Sequence, residues 1–269
     1  MTSPRLLDRR AFLADLGHGA FALAIVGIAG CGPSVVTSFA PSGSAAATPS
    51  RGSAGPGTPA PTDGAASVPP GSPASGKTWE RVNLGFVSAY LLIRSGEAAL
   101  VDTGEAGSEA AIESSLTSIG LGWPAVGHVI ITHSHGDHSG SRIAVLERAA
   151  GATGYAGAAD IPAMGGVELT AVGDGDRVFD LEIVTTPGHT LGHICVLDPV
   201  NGVLVAGDAL RTAEGRPMPP GASFTADMDE AERSIVKLGG LTFETLLVGH
   251  GEPIERGAAA LVAELGAGG

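Results

Sequence analysis

Cysteine is nearly absent: Cys31 and Cys195 are the only thiols in 269 residues. If Cys31 is consumed by the modification argued below, no intramolecular disulfide can form, and stability must come from the core and any bound metal. Basic residues are also scarce, 15 against 28 acidic ones, for a formal charge of -13. This argues against nucleic acid as substrate or partner, because such proteins need Lys and Arg to displace phosphate counterions. A membrane-spanning apolar run is missing too. The weakly apolar stretch from Leu16 to Gly30 contains His18 and falls short of the roughly 20 apolar residues that a spanning helix needs.

What stands at the N-terminus instead has the form of an address. The run Asp8-Arg9-Arg10-Ala11-Phe12-Leu13 ahead of that stretch resembles a twin-arginine export signal. Ile28-Ala29-Gly30-Cys31 resembles a bacterial lipobox, in which small residues admit the signal peptidase and the new N-terminal thiol carries diacylglycerol. Residues 1–31 are therefore read as a lipoprotein signal with Cys31 as the lipidation site. Residues 32–77 are dominated by Pro, Gly, Ser, Ala and Thr and cannot form a core. They read as a disordered linker with a mean reach on the order of 40 Å. The expected location is the bacterial cell envelope, with the protein exported and lipid-anchored to a membrane.

From Thr78 onward the apolar periodicity is regular, enough for one catalytic domain over residues 78–269. Asn83 to Ile93 and Ala98 to Gly104 read as strands joined at Ser95-Gly96, and Ser108 to Ile119 has helical spacing. Val126 to Ile131 reads as a buried strand, Ser139 to Ala149 as a helix, and Val167 to Val172 as a short strand. Longer strands follow at Leu181 to Thr186, His193 to Leu197 and Val203 to Ala206, then a helix over Asp227 to Leu238 and a strand at Thr245 to Val248. Two strand-rich halves, each with helices, suggest a four-layer αββα sandwich more than a doubly wound sheet.

The chemistry-bearing residues gather at strand ends. His133, His135, Asp137 and His138 lie within six residues, on what reads as a loop after Val126–Ile131. His133 and His135 can face one point there, and Asp137 and His138 another, a geometry for two adjacent ions. Three further apolar strands each stop at Gly followed by a candidate ligand: His189 after Pro187-Gly188, Asp208 after Gly207 and His250 after Gly249. Imidazole and carboxylate suit zinc, iron or manganese. Four such ends meeting on one rim is the economical explanation.

The order HxHxDH, PGHTxGH, GD, GH is similar to that of the metallo-β-lactamase superfamily and spans nearly all of residues 78–269. The resemblance implies two divalent metal ions, most commonly Zn, with Fe or Mn as alternatives. It implies His133, His135 and His189 on one ion, Asp137, His138 and His250 on the other, and Asp208 bridging. By the same resemblance Asp102 lies beneath the site, and His193 is read as a supporting or packing residue rather than a ligand.

The implied enzyme is a metal-dependent hydrolase that uses a metal-bridging hydroxide on a small ester, lactone, lactam or phosphodiester. Asp137 is the favoured catalytic proton acceptor. Asp208 disfavours a dedicated lactamase, since the best-known zinc β-lactamases have Cys or Ser at the matching position. Only 19 residues follow His250, which predicts that the helical C-terminal domain of glyoxalase II-type thioesterases is missing. The segment from Arg211 to Thr225 is a candidate pocket wall through Arg211, Met218 and Phe224, or else an exposed connection; Arg211 or Arg216 would meet an anionic group. Expected partners are a small-molecule substrate and the membrane, with neither nucleic acid nor a protein partner. Two alternatives are a mononuclear iron persulfide dioxygenase, which uses residues matching His133, His189 and Asp208, and a non-catalytic metal- or ligand-binding lipoprotein.

Substituting Cys31→Ser is expected to abolish fatty-acid labelling of the chain and move it from the membrane to the soluble fraction on fractionation. Unchanged labelling would refute the lipobox reading.

Overall fold

The computed structural model describes residues 76–268; the signal, Cys31 and nearly all of the linker lie outside the described residues. The first sheet orders β1 (Trp79–Asn83), β2 (Ser88–Arg94), β3 (Glu97–Val101), β4 (Val126–Ile131), β5 (Thr153–Gly157) and β6 (Thr170–Val172). The second contains β7 (Arg177–Val178), β8 (Leu181–Thr185), β9 (Ile194–Asp198), β10 (Val203–Val205) and β13 (Thr245–Leu247), in the order β13-β10-β9-β8-β7. A two-stranded ribbon, β11 (Arg211–Ala213) with β12 (Arg216–Met218), stands apart. Helices α1 (Glu109–Ser118), α2 (Gly136–Ser139) and α3 (Arg142–Arg148) accompany the first half, and α4 (Met228–Gly239) and α5 (Ala258–Ala267) the second.

Side-chain alternation along the strands builds three apolar layers from these two sheets. On β2, Ala89, Leu91 and Ile93 join one core with Ile112 and Leu116 of α1, while Tyr90 and Leu92 turn to the opposite face. On β9, Ile194 and Val196 meet that inner face, and Cys195 and Leu197 pack outward with Ile235 and Leu238 of α4 and Val262 of α5. The result is the expected four-layer αββα sandwich. Among the described residues, no helix is long and apolar enough to cross a membrane.

Strand direction then decides where function gathers. β3, β4 and β5 run parallel, so their C-terminal ends, followed by Asp102, His133 and Asp160, share one rim. In the second sheet β8 and β10 both run antiparallel to β9, and β13 runs parallel to β10. Their ends, leading into His189, Asp208 and His250, also share one edge, where β9 begins just after His193. Loops held by a rigid sheet edge are the usual place for binding residues.

Several elements differ from the expected ones. Residues 79–83 form a separate strand, β1, because the chain reverses at Leu84–Val87, with Gly85 at φ 95°. The stretch expected as one helix from Ser139 to Ala149 is two, α2 and α3, and α2 begins inside the histidine motif. The strand expected over Val167 to Val172 is confined to β6. Helix α5 has too uniform an Ala, Leu and Val composition to show a sharp apolar stripe, and sequence periodicity missed it.

Tyr90 ties the two sheets together at the rim. Its hydroxyl donates to Val248 O at 2.8 Å, two residues before His250, and burial pushes its pKa up to about 12. Tyr90→Phe leaves that carbonyl unpaired and is expected to cost about 1–2 kcal/mol in urea unfolding of the metal-free chain. A loss indistinguishable from zero would contradict this tie.

Candidate metal centre

After β4 the chain bends at Thr132 and Ser134 and then closes into the single turn of α2, with His135 at φ -61° and ψ 146° as its N-cap. The expectation of a loop throughout is corrected here. The turn is what separates the ligands: successive helical side chains diverge by about 100°, so His138 is driven fully inward while Asp137 keeps partial access to solvent.

Two groups of side chains result. His133 Nε2 lies 3.1 Å and His189 Nε2 3.0 Å from His135 Nδ1. Three imidazole nitrogens facing one another so closely cannot all be satisfied by one shared proton. Around a tetrahedral ion with bonds of about 2.0–2.1 Å they would stand roughly 3.3 Å apart, close to what is observed. In the second group, His250 Nε2 is 3.2 Å from Asp137 Oδ2, and His138 Nε2 is 3.7 Å from the same oxygen. Asp208 lies between them, with Oδ1 3.2 Å from His138 and Oδ2 3.4 Å from His189 and 3.3 Å from His250. His138 Nε2 and Asp208 Oδ1 are both buried without a hydrogen bond. Buried polar atoms left without a partner are costly, and a divalent cation would satisfy both. All seven expected ligands are thus brought together and fit metal ions.

Four of the five ligand imidazoles are aimed from behind. His138 Nδ1 bonds Asp102 at 2.8 Å, and Asp102 also accepts from the N–H and hydroxyl of Thr132. Asp102 sits in the left-handed region at φ 65°, which turns its carboxylate under the motif. His133 Nδ1 faces Thr132 Oγ1, His189 Nδ1 faces Thr225 Oγ1, and His250 Nδ1 donates to Phe86 O. His193 is not in any ligand group; its Nε2 accepts from the backbone N–H of Asp208 at 3.1 Å while Nδ1 bonds Thr186. Glycine at 249 is required by approach alone: a Cβ there would collide with Asp208 and His138.

Electrostatics divide the groups in the same way. Burial lowers His189 to about 4 and His193 to about 3, and holds His133 well below its usual value, with neighbouring histidines adding to the effect. Neutrality is what lets His193 accept from Asp208. Burial opposes charge on His138 as well, but Asp102 and Asp208 outweigh it and raise the ring to about 10. Hydrogen bonds to Asp137 and Asp208 raise His250 to about 10. The same bond from His250 lowers Asp137. Asp208 is held well below the carboxylate range by His138 and His250 despite its burial.

A cavity of about 580 Å³ opens on this cluster, lined by His135, Asp137, His189, Asp208 and His250 together with Phe86, Arg211, Pro220 and Phe224. Arg211 and Phe224 are therefore pocket residues as expected. Met218 is not: it pairs with Arg211 across the β11–β12 ribbon and does not line the cavity. Arg216 is exposed and paired with Glu264. The segment expected as either pocket wall or loose connection is a ribbon followed by a turn, fixed by Arg211 Nε donating to Pro219 O and Thr225 Oγ1 to Gly221 O. Sequence reading missed Thr132, Thr225 and Asp160; no local pattern marks them, since each acts on a residue brought near by the fold.

Because nearby carboxylates raise His138 and His250 to about 10 while burial lowers His133 and His189, filling the centre with metal at pH 7 is expected to release protons, about one from each raised ring. Titration calorimetry in buffers of different ionisation enthalpy reads this number directly. Heats independent of the buffer would refute it.

The metallo-beta-lactamase superfamily model matches residues 82–250. The probable metallo-hydrolase YflN of Bacillus subtilis is 45% identical over 82 residues, 26% of this chain and 31% of its own length. A hydroxyacylglutathione hydrolase of Cereibacter sphaeroides is 34% identical over 161 residues, 58% of each chain. The chain thus spans about a third and about three-fifths of these two relatives. In fold it is similar to a crystallised metallo-beta-lactamase family protein of Thermus thermophilus, with a TM-score of 0.58 at 24% identity over 71% of this chain and 79% of that one. With its seven candidate ligands gathered at the shared edge of an αββα sandwich, and with that match across most of the described residues, the chain belongs to the metallo-beta-lactamase superfamily.

Proposed function

We propose that the protein is a binuclear metal-dependent hydrolase of a small ester, lactone, lactam or phosphodiester. The observation that carries this reading is the pair of adjacent donor groups meeting at Asp208, with two buried polar atoms that no protein group satisfies. His133, His135 and His189 would hold one divalent ion, Asp137, His138 and His250 the second, and Asp208 both. The donor set suits zinc, with iron or manganese as alternatives. Two divalent ions bound there would supply Lewis acidity for a carbonyl or phosphoryl oxygen and a water ionisable near neutral pH.

The remaining steps belong to this chain's residues. Asp137 is partly exposed and lines the cavity, so its carboxylate is placed to accept the proton of the attacking water and return it to the leaving group. His193 holds the Asp208 backbone still while charge shifts in front of it. Phe86, Pro220 and Phe224 give one wall an apolar surface, and Arg211 offers a guanidinium to an anionic substituent. That combination favours substrates with an apolar body and one negative group. The hydroxyacylglutathione hydrolase relative adds hydroxyacylglutathione to the compounds to be tried.

An iron oxygenase using His133, His189 and Asp208 would leave Asp137, His138 and His250 without a role, and a purely structural metal would not need an open cavity. Residues 1–31 as export signal, Cys31 as lipid anchor and residues 32–77 as tether complete the proposal, and place the catalytic domain in the cell envelope.

Elemental mass spectrometry of the full chain purified without added metal should find about two zinc ions, fewer in His133→Ala. About one iron would put the oxygenase first, and no specific metal would sink the proposal. Among active substrates, Arg211→Ala should raise KM about tenfold for carboxylate-bearing ones with kcat little changed. An unchanged KM would remove Arg211 from recognition.

A further inference from the structure

Asp160 follows β5 and is 4% exposed. Its carboxylate meets only neutral donors. Oδ2 accepts from the backbone N–H of Ser134 at 2.8 Å and from Thr190 Oγ1 at 2.7 Å, and Oδ1 accepts from the backbone N–H of Gly192 at 2.8 Å. Ser134 lies between His133 and His135 in the chain; Thr190 and Gly192 lie between His189 and His193. One side chain therefore fastens the histidine segment of the first sheet to that of the second, one residue away from three candidate ligand imidazoles and from His193.

The packing around it leaves no slack. A Cβ on Gly192 would strike Asp160, and one on Gly157 would strike the Gly192 carbonyl, so both contacts require glycine. His135 has particular need of such an anchor. Its Nδ1 faces His133 and His189, but among the described residues its outer nitrogen makes no hydrogen bond to the scaffold, unlike those of His133, His138, His189 and His250. With no partner behind the ring, its aim rests on the backbone at Ser134, which Asp160 fixes.

We propose that Asp160 is a positioning residue for the three-imidazole set, aiming His135 and His189 at one point and so setting the affinity and coordination geometry of the ion held there. This rests on the reading that the set binds a metal. Groups behind the ligands commonly change metal affinity by about 10–100-fold when removed, and Asp160 acts on two ligand segments together.

The test uses the full chain as wild type, Asp160→Asn and Thr190→Val, stripped of metal and titrated with Co²⁺ by absorption and with Zn²⁺ against a chelating competitor. Asn keeps the size of Asp160 but replaces one acceptor by a donor; Val keeps the shape of Thr190 and removes one donor. Asp160→Asn should weaken one of two sites about 10–100-fold and alter its Co²⁺ d–d bands, while the second site keeps its affinity. Thr190→Val should move both readouts in the same direction by less, and it decides the matter if Asp160→Asn does not fold. In a His250→Ala background, where the three-imidazole set is the site that remains intact, Asp160→Asn should weaken the remaining tight binding. Equal weakening of both sites, or unchanged affinity and spectrum, would overturn the role of Asp160 while leaving the metal reading intact. A wild-type chain that binds neither ion would overturn both.

Discussion

Everything at the rim depends on which nitrogen of each imidazole faces inward. A neutral ring offers one lone pair and one N–H, and the partner behind it decides which is which. Thr132, Asp102, Thr225 and Phe86 O stand behind the Nδ1 atoms of His133, His138, His189 and His250, so Nε2 faces the centre in all four. His135 alone presents Nδ1. The burial that depresses His133 and His189 keeps those lone pairs free, at the cost of seating uncharged polar rings in the protein interior. Orientation from behind makes that cost tolerable.

Sheet polarity is the second constraint, because it turns scattered sequence positions into one cluster. β3, β4 and β5 discharge their residues at one edge, and β8, β10 and β13 do so from the facing sheet. Tyr90 and Asp160 fasten the two edges together, one through Val248 and the other through Ser134 and Thr190. A cavity left between them is lined by apolar rings on one side and by the ligand cluster on the other.

The layered fold and the seven candidate ligands were legible in the sequence because their signals are local. An apolar strand that stops at Gly and a ligand, as at Gly207-Asp208 and Gly249-His250, declares both its burial and its end. Asp160 was not legible: it follows an unremarkable Ala-Ala pair, and its partners lie 26, 30 and 32 residues away. The β11–β12 ribbon was ambiguous because its strands are three residues each, too short for alternation to register. The short helix within the histidine motif escaped because four residues hold only one turn, and its Gly start weakens any local propensity.

The ligand cluster draws four members from the first sheet's half and three from the second's, with no half holding a complete set for either ion. Any cation seated there is consequently a cross-link between two separately hydrogen-bonded layers. It would act on the seam of the sandwich and leave each sheet's internal ladder to itself. Folding would then have to bring the layers into register before a cation gained its full coordination, making metal occupancy a reporter of completed assembly.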